Sequence, residues 1–383
     1  MNKSNPFETF RKIIGHPFPM AIWRLPQTDS CHGIIDLRPE LTQSDKALEE
    51  MEMGFLINAF QDHHPCKPDF IKSDLLIEWD ENETISIRQN PALTDHQLED
   101  FFQTVQKPKH LDLFQAATSP PDFQTIVSEA IDVIHHHDID KVVLSRYSDT
   151  QLPRDFDPFV SFNDACKTYP NAFVYILYKP DHGLWLGATP ETLLSIEDSR
   201  IFKTVSLAGT QRLDENQSLS SVAWTQKEIE EQAMVSRYII DCFKKIRLRE
   251  FDENGPKTVK AGNLAHLKTE YRVDLNDVNM PNLGSVMLDL LHPTSAVCGM
   301  PLHPALQFIR DRENYDRELY SGFLGPVNIK GLTHLFVNLR CMKITNDTGR
   351  FYAGAGITGD SDPEREFIET ELKMQTLKRI IFP

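Results

Sequence analysis

The feature that most constrains this chain is the succession of short apolar runs in its second half. Residues 141–146, 172–178 and 184–188 are rich in β-branched and aromatic side chains, and only the turn at 179–183 separates the last two. Runs of this kind read as strands, and so short a turn reads as a hairpin. Residues 21–25, 33–37 and 75–79 read the same way, punctuated by Pro17, Pro19, Pro26, Pro39, Pro65 and Pro68. More strand or buried material is expected at 286–291, 333–344 and 350–357. Long helices come only at intervals. Phe123, Ile126, Val127, Ala130, Ile131 and Ile134 recur at three- and four-residue steps behind Pro120, Pro121 and an N-cap candidate, Asp122. Residues 225–243 form a second helix pattern. Residues 363–381 form the last, opened by Asp360, Ser361 and Asp362. Strands that do not alternate regularly with helices argue against a doubly wound parallel sheet. The fold class expected is α+β with large antiparallel sheets.

Composition narrows the function. At 40% hydrophobic and 25% charged residues the chain is an ordinary globular one, which excludes collagen-like, mucin-like and wholly disordered readings. Its 40 basic against 56 acidic residues give −16, so a generic nucleic-acid or anionic-membrane surface is not expected. A local basic pocket for a small anion remains compatible with that charge. No apolar run reaches the roughly 18–20 residues of a membrane span, and the polar start of the chain has no apolar signal core. Cys31, Cys66, Cys166, Cys242, Cys298 and Cys341 are scattered without a CxxC pair, the usage of reduced thiols in a cytoplasmic protein.

Several residues could carry chemistry. Glu228 and Glu231 lie three apart on one helix, and Glu366 and Glu369 repeat the spacing on another. Each pair shares a face. The pairs are either solvated faces or, if they converge, an oxygen site for Mg²⁺. Gly354-Ala355-Gly356 follows an aromatic strand end. It is either a tight turn or a place where backbone N–H groups meet an anion. Lys141 opens an apolar run; it either snorkels to water or faces a cavity as a base. Glu191 precedes Leu193 and Leu194. It is either an exposed turn acid or a buried one with a raised pKa. His135, His136 and His137 end a helix. Successive helical residues point about 100° apart, so the three read as a solvated helix end and not as a metal site.

Taken in order, these segments resemble the chorismate-utilising enzymes, the family of anthranilate synthase component I, and within it most of all the isochorismate synthases. The matching stretches are Lys141-Val-Val-Leu-Ser-Arg146, Gly187-Ala-Thr-Pro-Glu191, Leu207-Ala-Gly-Thr210, Leu291-His-Pro-Thr294, Tyr320-Ser-Gly322, Arg340-Cys341, Ala353-Gly-Ala-Gly-Ile357, and Ser361-Asp-Pro-Glu364 running through Glu369-Thr370 to Lys373. The resemblance implies one domain over 1–383, with a variable part at 1–115 and a chorismate-binding catalytic part at 116–377. It implies two stacked antiparallel sheets with helices outside and a central cleft.

The same resemblance implies site roles. Chorismate is the substrate and Mg²⁺ the cofactor, held by Glu231 and Glu369, with Glu228 and Glu366 orienting waters or ligands. Lys141 is the base that activates water, where the ammonia-using branch carries glutamine. Glu191 is the acid that protonates the departing hydroxyl. Arg340 and Lys373 meet the substrate's carboxylates; Gly209, Thr210 and Gly354 offer backbone contacts; His292 and Ala296 line the ring; His266 supports the scaffold. Ala208 stands where the aminodeoxychorismate-forming branch carries a lysine nucleophile. The resemblance further implies a monomer without a glutaminase subunit. Its product would serve menaquinone biosynthesis, or alternatively a siderophore. Gln232, Ile229 and Cys298 depart from the family's usual residues without removing a proposed ligand or catalyst. Three other readings stay open: a salicylate synthase that goes on to release pyruvate, an ammonia-using synthase, and a silent chorismate-binding protein.

Overall fold

The computed structural model describes residues 6–38, 42–43, 46–60, 67–80, 85–107, 122–136, 138–213, 218–261 and 264–383. The strands in its first part are β1 Met20–Arg24, β2 Cys31–Ile35, β3 Thr42–Gln43, β4 Gly54–Asn58, β5 Asp69–Lys72, β6 Leu75–Trp79 and β7 Ser86–Gln89. Those in the middle are β8 Lys141–Gln151, β9 Phe173–Lys179, β10 Gly183–Thr189, β11 Thr192–Glu197, β12 Ile201–Arg212, β13 Asp252–Ala261 and β14 Leu264–Asp274. The last are β15 Gly299–Met300, β16 Phe323–Val327, β17 Thr333–Val337, β18 Cys341–Ile344 and β19 Thr348–Ile357. The helices are α1 Phe7–Ile13, α2 Asp95–Val105, α3 Phe123–His135, α4 Pro158–Thr168, α5 Gln226–Lys245, α6 Leu283–Leu291, α7 Leu302–Arg312 and α8 Pro363–Ile381.

Among the described residues the strands make two sheets, one of ten (β15-β8-β19-β18-β10-β9-β1-β2-β6-β7) and one of nine (β13-β14-β12-β11-β17-β16-β4-β5-β3). Their pairings are antiparallel throughout. This is the α+β class expected. The alternation of β9 shows how the layers form. Phe173, Tyr175 and Leu177 face a core that also holds Phe55, Leu324 and Phe336 of the other sheet, while Val174, Ile176 and Tyr178 face a core shared with α4 and α8. Successive strand residues point to opposite faces, so one strand lines both layers. A third core sets α5 and α6 against the nine-stranded sheet, and a fourth sets α3 and α7 against β8 and β19. The N-terminal strands β1, β2, β6 and β7 complete one sheet and β3, β4 and β5 the other.

The helix signals hold where caps are present. Asp122 accepts from Thr125 N, Thr225 forms a capping box with Glu228, and Asp362 accepts from Arg365 N ahead of Pro363. Of the two alternatives expected at 286–291, buried material holds, and the element is a helix, not a strand. Leu283, Met287, Leu288 and Leu291 are buried at helical spacing, but the flanking positions are apolar too and mask the period. Residues 333–344 are not one strand. The chain leaves the nine-stranded sheet after Val337 and enters the ten-stranded one at Cys341. His135 and His136 end α3 exposed, with the His136 ring 2.7 Å from Asp132 O. His137 lies outside the described residues, as do Pro39, Pro65, Pro120, Pro121 and Cys66; the other five cysteines are thiols outside any disulfide among the described residues. No helix among the described residues is long and apolar enough to cross a membrane.

Candidate active site

Two places where the chain passes from one sheet to the other carry the central charges. Glu191 lies in the step from β10 to β11, and Arg340 in the step from β17 to β18. The steps are tied together: Val337 N donates to Glu191 O at 3.0 Å and Ala188 N donates to Arg340 O at 3.0 Å. Arg340 takes φ +48°, a left-handed conformation that costs a non-glycine residue of the order of 1 kcal/mol or more. Its guanidinium donates to Thr376 Oγ1 (3.1 Å) and Lys373 O (3.3 Å) of α8.

Lys141 is the first residue of β8, at the end where β15 and β19 flank that strand. Its amine lies within electrostatic reach of Glu231 from α5, of Lys373 and Glu369 from α8, and of Glu191. Burial pushes the amine's pKa below the usual lysine value, and Lys373 adds to this while the three carboxylates oppose it. Burial raises the Glu191 carboxyl to about 7 against the pull of Lys373, Lys141 and Arg340. Both side chains keep part of their surface open, as cleft residues do. One amine with a lowered pKa and one carboxylic acid with a raised one thus lie in one cluster, the arrangement that proton transfer at a site requires.

Lys373 bridges two parts of this cluster. Its amine donates to Gly354 O at 2.8 Å and pairs with Glu369 at 2.7 Å. Gly354 is glycine because a Cβ there would come within 2.7 Å of Leu144 O and 3.0 Å of the Tyr320 hydroxyl. Ala296 shares a small pocket with Glu191, Leu207, Tyr238 and Thr294. The Thr294 hydroxyl and that of neighbouring Ser295 are buried without a hydrogen-bond partner among the described residues.

The remaining expected residues sit at the edges. Gly209 has φ +68° at a break in the β12–β14 register, and its carbonyl lies 3.0 Å from His266 Nδ1. His266 therefore braces the bend. Thr210 follows in β12; only its backbone is described. Gly209 lies beside the start of α5, against Trp224 and Glu228 Cβ. His292 caps the end of α6, buried, with its ring edge-on to Phe323 at 4.9 Å. Glu228 does not face the cluster. Its carboxylate accepts from Thr225 N, Thr225 Oγ1 and Gln211 Nε2. Glu366 is buried, whereas Glu369 is half exposed, so that pair also divides between two environments.

Sequence reasoning missed the supports. Thr376 and Tyr169 anchor the Arg340 end of α8, with the Tyr169 hydroxyl donating to Thr376 O at 2.8 Å. Glu313 and Arg317 form a buried ion pair at 2.6 Å under β8. Arg317 donates to Val143 O and Val297 O, and Glu313 accepts from Ser145 N and Ser145 Oγ. The pair thus holds the strand two and four residues beyond Lys141.

Comparison with known proteins identifies the family of this fold. The chain is 29% identical over 271 residues to isochorismate synthase EntC of Escherichia coli (strain K12), covering 70% of this chain and 68% of that protein. It is 27% identical over 260 residues to isochorismate synthase MenF of the same organism, covering 67% and 59%. The solved structure of MenF, the menaquinone-specific isochorismate synthase from Escherichia coli, superposes with a TM-score of 0.77 at 21% identity over 98% of this chain and 92% of that one. Anthranilate synthase component I from Streptococcus pneumoniae TIGR4 gives a TM-score of 0.67 at 18% identity, over 99% and 98%. The sequence model described as chorismate binding enzyme matches residues 52–382. That span takes in every described strand except β1, β2 and β3 and every charged residue of the cluster, and the chain belongs to the chorismate binding enzyme family.

Proposed function

We propose that this chain is an isochorismate synthase acting in the cytoplasm, which converts chorismate to isochorismate by adding water at C2 and losing the C4 hydroxyl. The observation that carries this reading is the Lys141 amine amid Glu191, Glu231 and Glu369. Water is a poor nucleophile and needs a base, and an amine with a lowered pKa is available as one. The bond from water oxygen to C2 forms as Lys141 takes the water proton. Both ring double bonds shift, from C1–C2 to C1–C6 and from C5–C6 to C4–C5, and the C4–O bond breaks as Glu191 gives its proton to the departing hydroxyl. One water enters and one leaves, so the mass is unchanged. Acid and base assistance of this kind contribute about 10²- to 10⁴-fold each. Arg340 and Lys373 are the cations for the substrate's carboxylates, Arg340 with the forked geometry that suits one of them. Ala296, His292, Gly209, Thr210 and Gly354 complete the substrate's surroundings in this reading.

Glu231 and Glu369 would hold a Mg²⁺ ion. The donors facing Lys141 are carboxylates without histidine or cysteine, which suits a hard cation. Among the described residues no group of three or more His, Cys, Asp or Glu side chains could hold a metal alone. Mg²⁺ commonly takes one or two protein carboxylates and completes its shell with substrate and water. When bound, it would supply positive charge against a substrate carboxylate.

The test is purified protein with chorismate and Mg²⁺, following mass, pyruvate and ammonia dependence. An isomer of unchanged mass without pyruvate supports the reading. Pyruvate release favours salicylate formation, and ammonia dependence the nitrogen-using reaction. We assign the product to menaquinone biosynthesis. A deletion strain that lacks menaquinone supports this, and one that lacks only a siderophore overturns it.

A further inference from the structure

Away from the cleft, two thiols meet beside a guanidinium. Cys31 stands opposite Arg24 in the β1–β2 register. Arg24 is buried, and its guanidinium donates to Pro170 O (2.7 Å), Tyr169 O (2.7 Å) and Ala172 O (3.0 Å), just past the end of α4. Those contacts fasten α4 beside the β1–β2 ladder and bring Cys166, in its last turn, to Cys31. The Cys31 and Cys166 side chains are hydrogen-bonded, and Arg24 lies against the Cys166 sulfur. Both thiols are partly exposed, whereas Cys242, Cys298 and Cys341 are buried.

We infer that Cys31 and Cys166 are a two-electron redox pair that closes to a disulfide when it meets a hydroperoxide and reopens with a dithiol reductant. The hydrogen bond from Cys31 and the charge of Arg24 together hold the Cys166 pKa below the usual thiol value despite its burial. The thiolate is the nucleophile. Cys166 sulfur attacks the peroxide, the O–O bond breaks, and a sulfenic acid forms with release of water or an alcohol. Cys31 sulfur then attacks the sulfenic sulfur, the S–O bond breaks, and hydroxide leaves with the Cys31 proton as water. The peroxide is reduced by two electrons and the thiol pair is oxidised by two. The buried thiols lack access, and burial raises Cys242 to about 11 and Cys298 to about 12, so neither competes as a thiolate.

The test uses the whole protein treated with one equivalent of hydrogen peroxide, then alkylated with N-ethylmaleimide in denaturant. The expected result is a loss of two alkylated thiols, a Cys31–Cys166 linked peptide on non-reducing mapping, and reversal by dithiothreitol. Cys31→Ser should leave a sulfenic acid on Cys166 that dimedone traps, and Cys166→Ser should leave Cys31 unoxidised. Both variants should keep the parent's circular dichroism spectrum and unoxidised activity. Full alkylation of both residues after peroxide, or linkage of either to another cysteine, would overturn the assignment.

Discussion

The side chain of Lys141 lies across Gly356: a Cβ on that glycine would sit 2.7 Å from Lys141 Cε and 3.3 Å from its Nζ. Gly356 pairs with Val143 in the β19–β8 ladder, so the two strands together form the bed of the lysine. The glycine therefore serves the amine's position. Gly356→Ala should displace the amine and lower kcat for isochorismate formation by up to about 10²-fold, the usual cost of a misplaced catalytic group. Circular dichroism should be unchanged, because the backbone there is an ordinary strand. A kcat equal to the parent's would show that the amine's position does not matter.

The pH profile follows from the two groups that must be in opposite protonation states. Glu191 has to be protonated to donate, and its carboxyl is held up to about 7 by burial. Activity should therefore fall as pH rises through about 7, and Glu191→Gln should abolish most activity together with that limb. Stability has the same sign. The native carboxyl binds its proton more tightly than the unfolded one, whose ordinary value is 4.5. Stability should drop as pH climbs from about 4.5 to about 7. Thermal melts of Glu191→Gln should lack this part of the slope; parallel melting curves for parent and variant would contradict the raised value.

Removal of divalent metal with a chelator should stop turnover, and Mg²⁺ should restore it. Glu231→Ala and Glu369→Ala should each weaken Mg²⁺ binding by about tenfold or more, read by calorimetry as well as by activity. An unchanged metal titration in either variant would remove that residue from the site.

The Glu313–Arg317 pair is buried on both sides, with side-chain exposures of 2% and 3%. Taking away one partner leaves a charge without compensation in the interior. Arg317→Met should cost about 3–5 kcal/mol in denaturant unfolding. The double variant Glu313→Leu with Arg317→Met should recover part of that loss; a double variant as weak as the sum of the singles would contradict the pairing.

Much of the scaffold was legible in the residues. Asp362 and Pro363 announce the start of α8, and the apolar period around Phe123 marks α3, because caps and amphipathic spacing are local signals. At 286–291 the buried alternative holds and the strand does not, because a helix apolar on several faces loses its period. Glu313 and Arg317 read in sequence like any surface pair four apart, and only the packing of α7 and β8 buries them. The turn of the chain at Arg340 depends on a change of sheet that no local residue signals. Among the candidate site residues, Lys141, Glu191, Glu231, Glu369, Arg340 and Lys373 come together in one cleft. Glu228 does not join them, because the capping box that starts α5 claims its carboxylate.

The most direct measurement is the fate of chorismate in Lys141→Ala and Lys141→Gln, with folding checked by circular dichroism. If the Lys141 amine activates water, both variants lose isochorismate formation while still binding chorismate. Isochorismate formed at a rate near the parent's by either variant would contradict the assignment of the base.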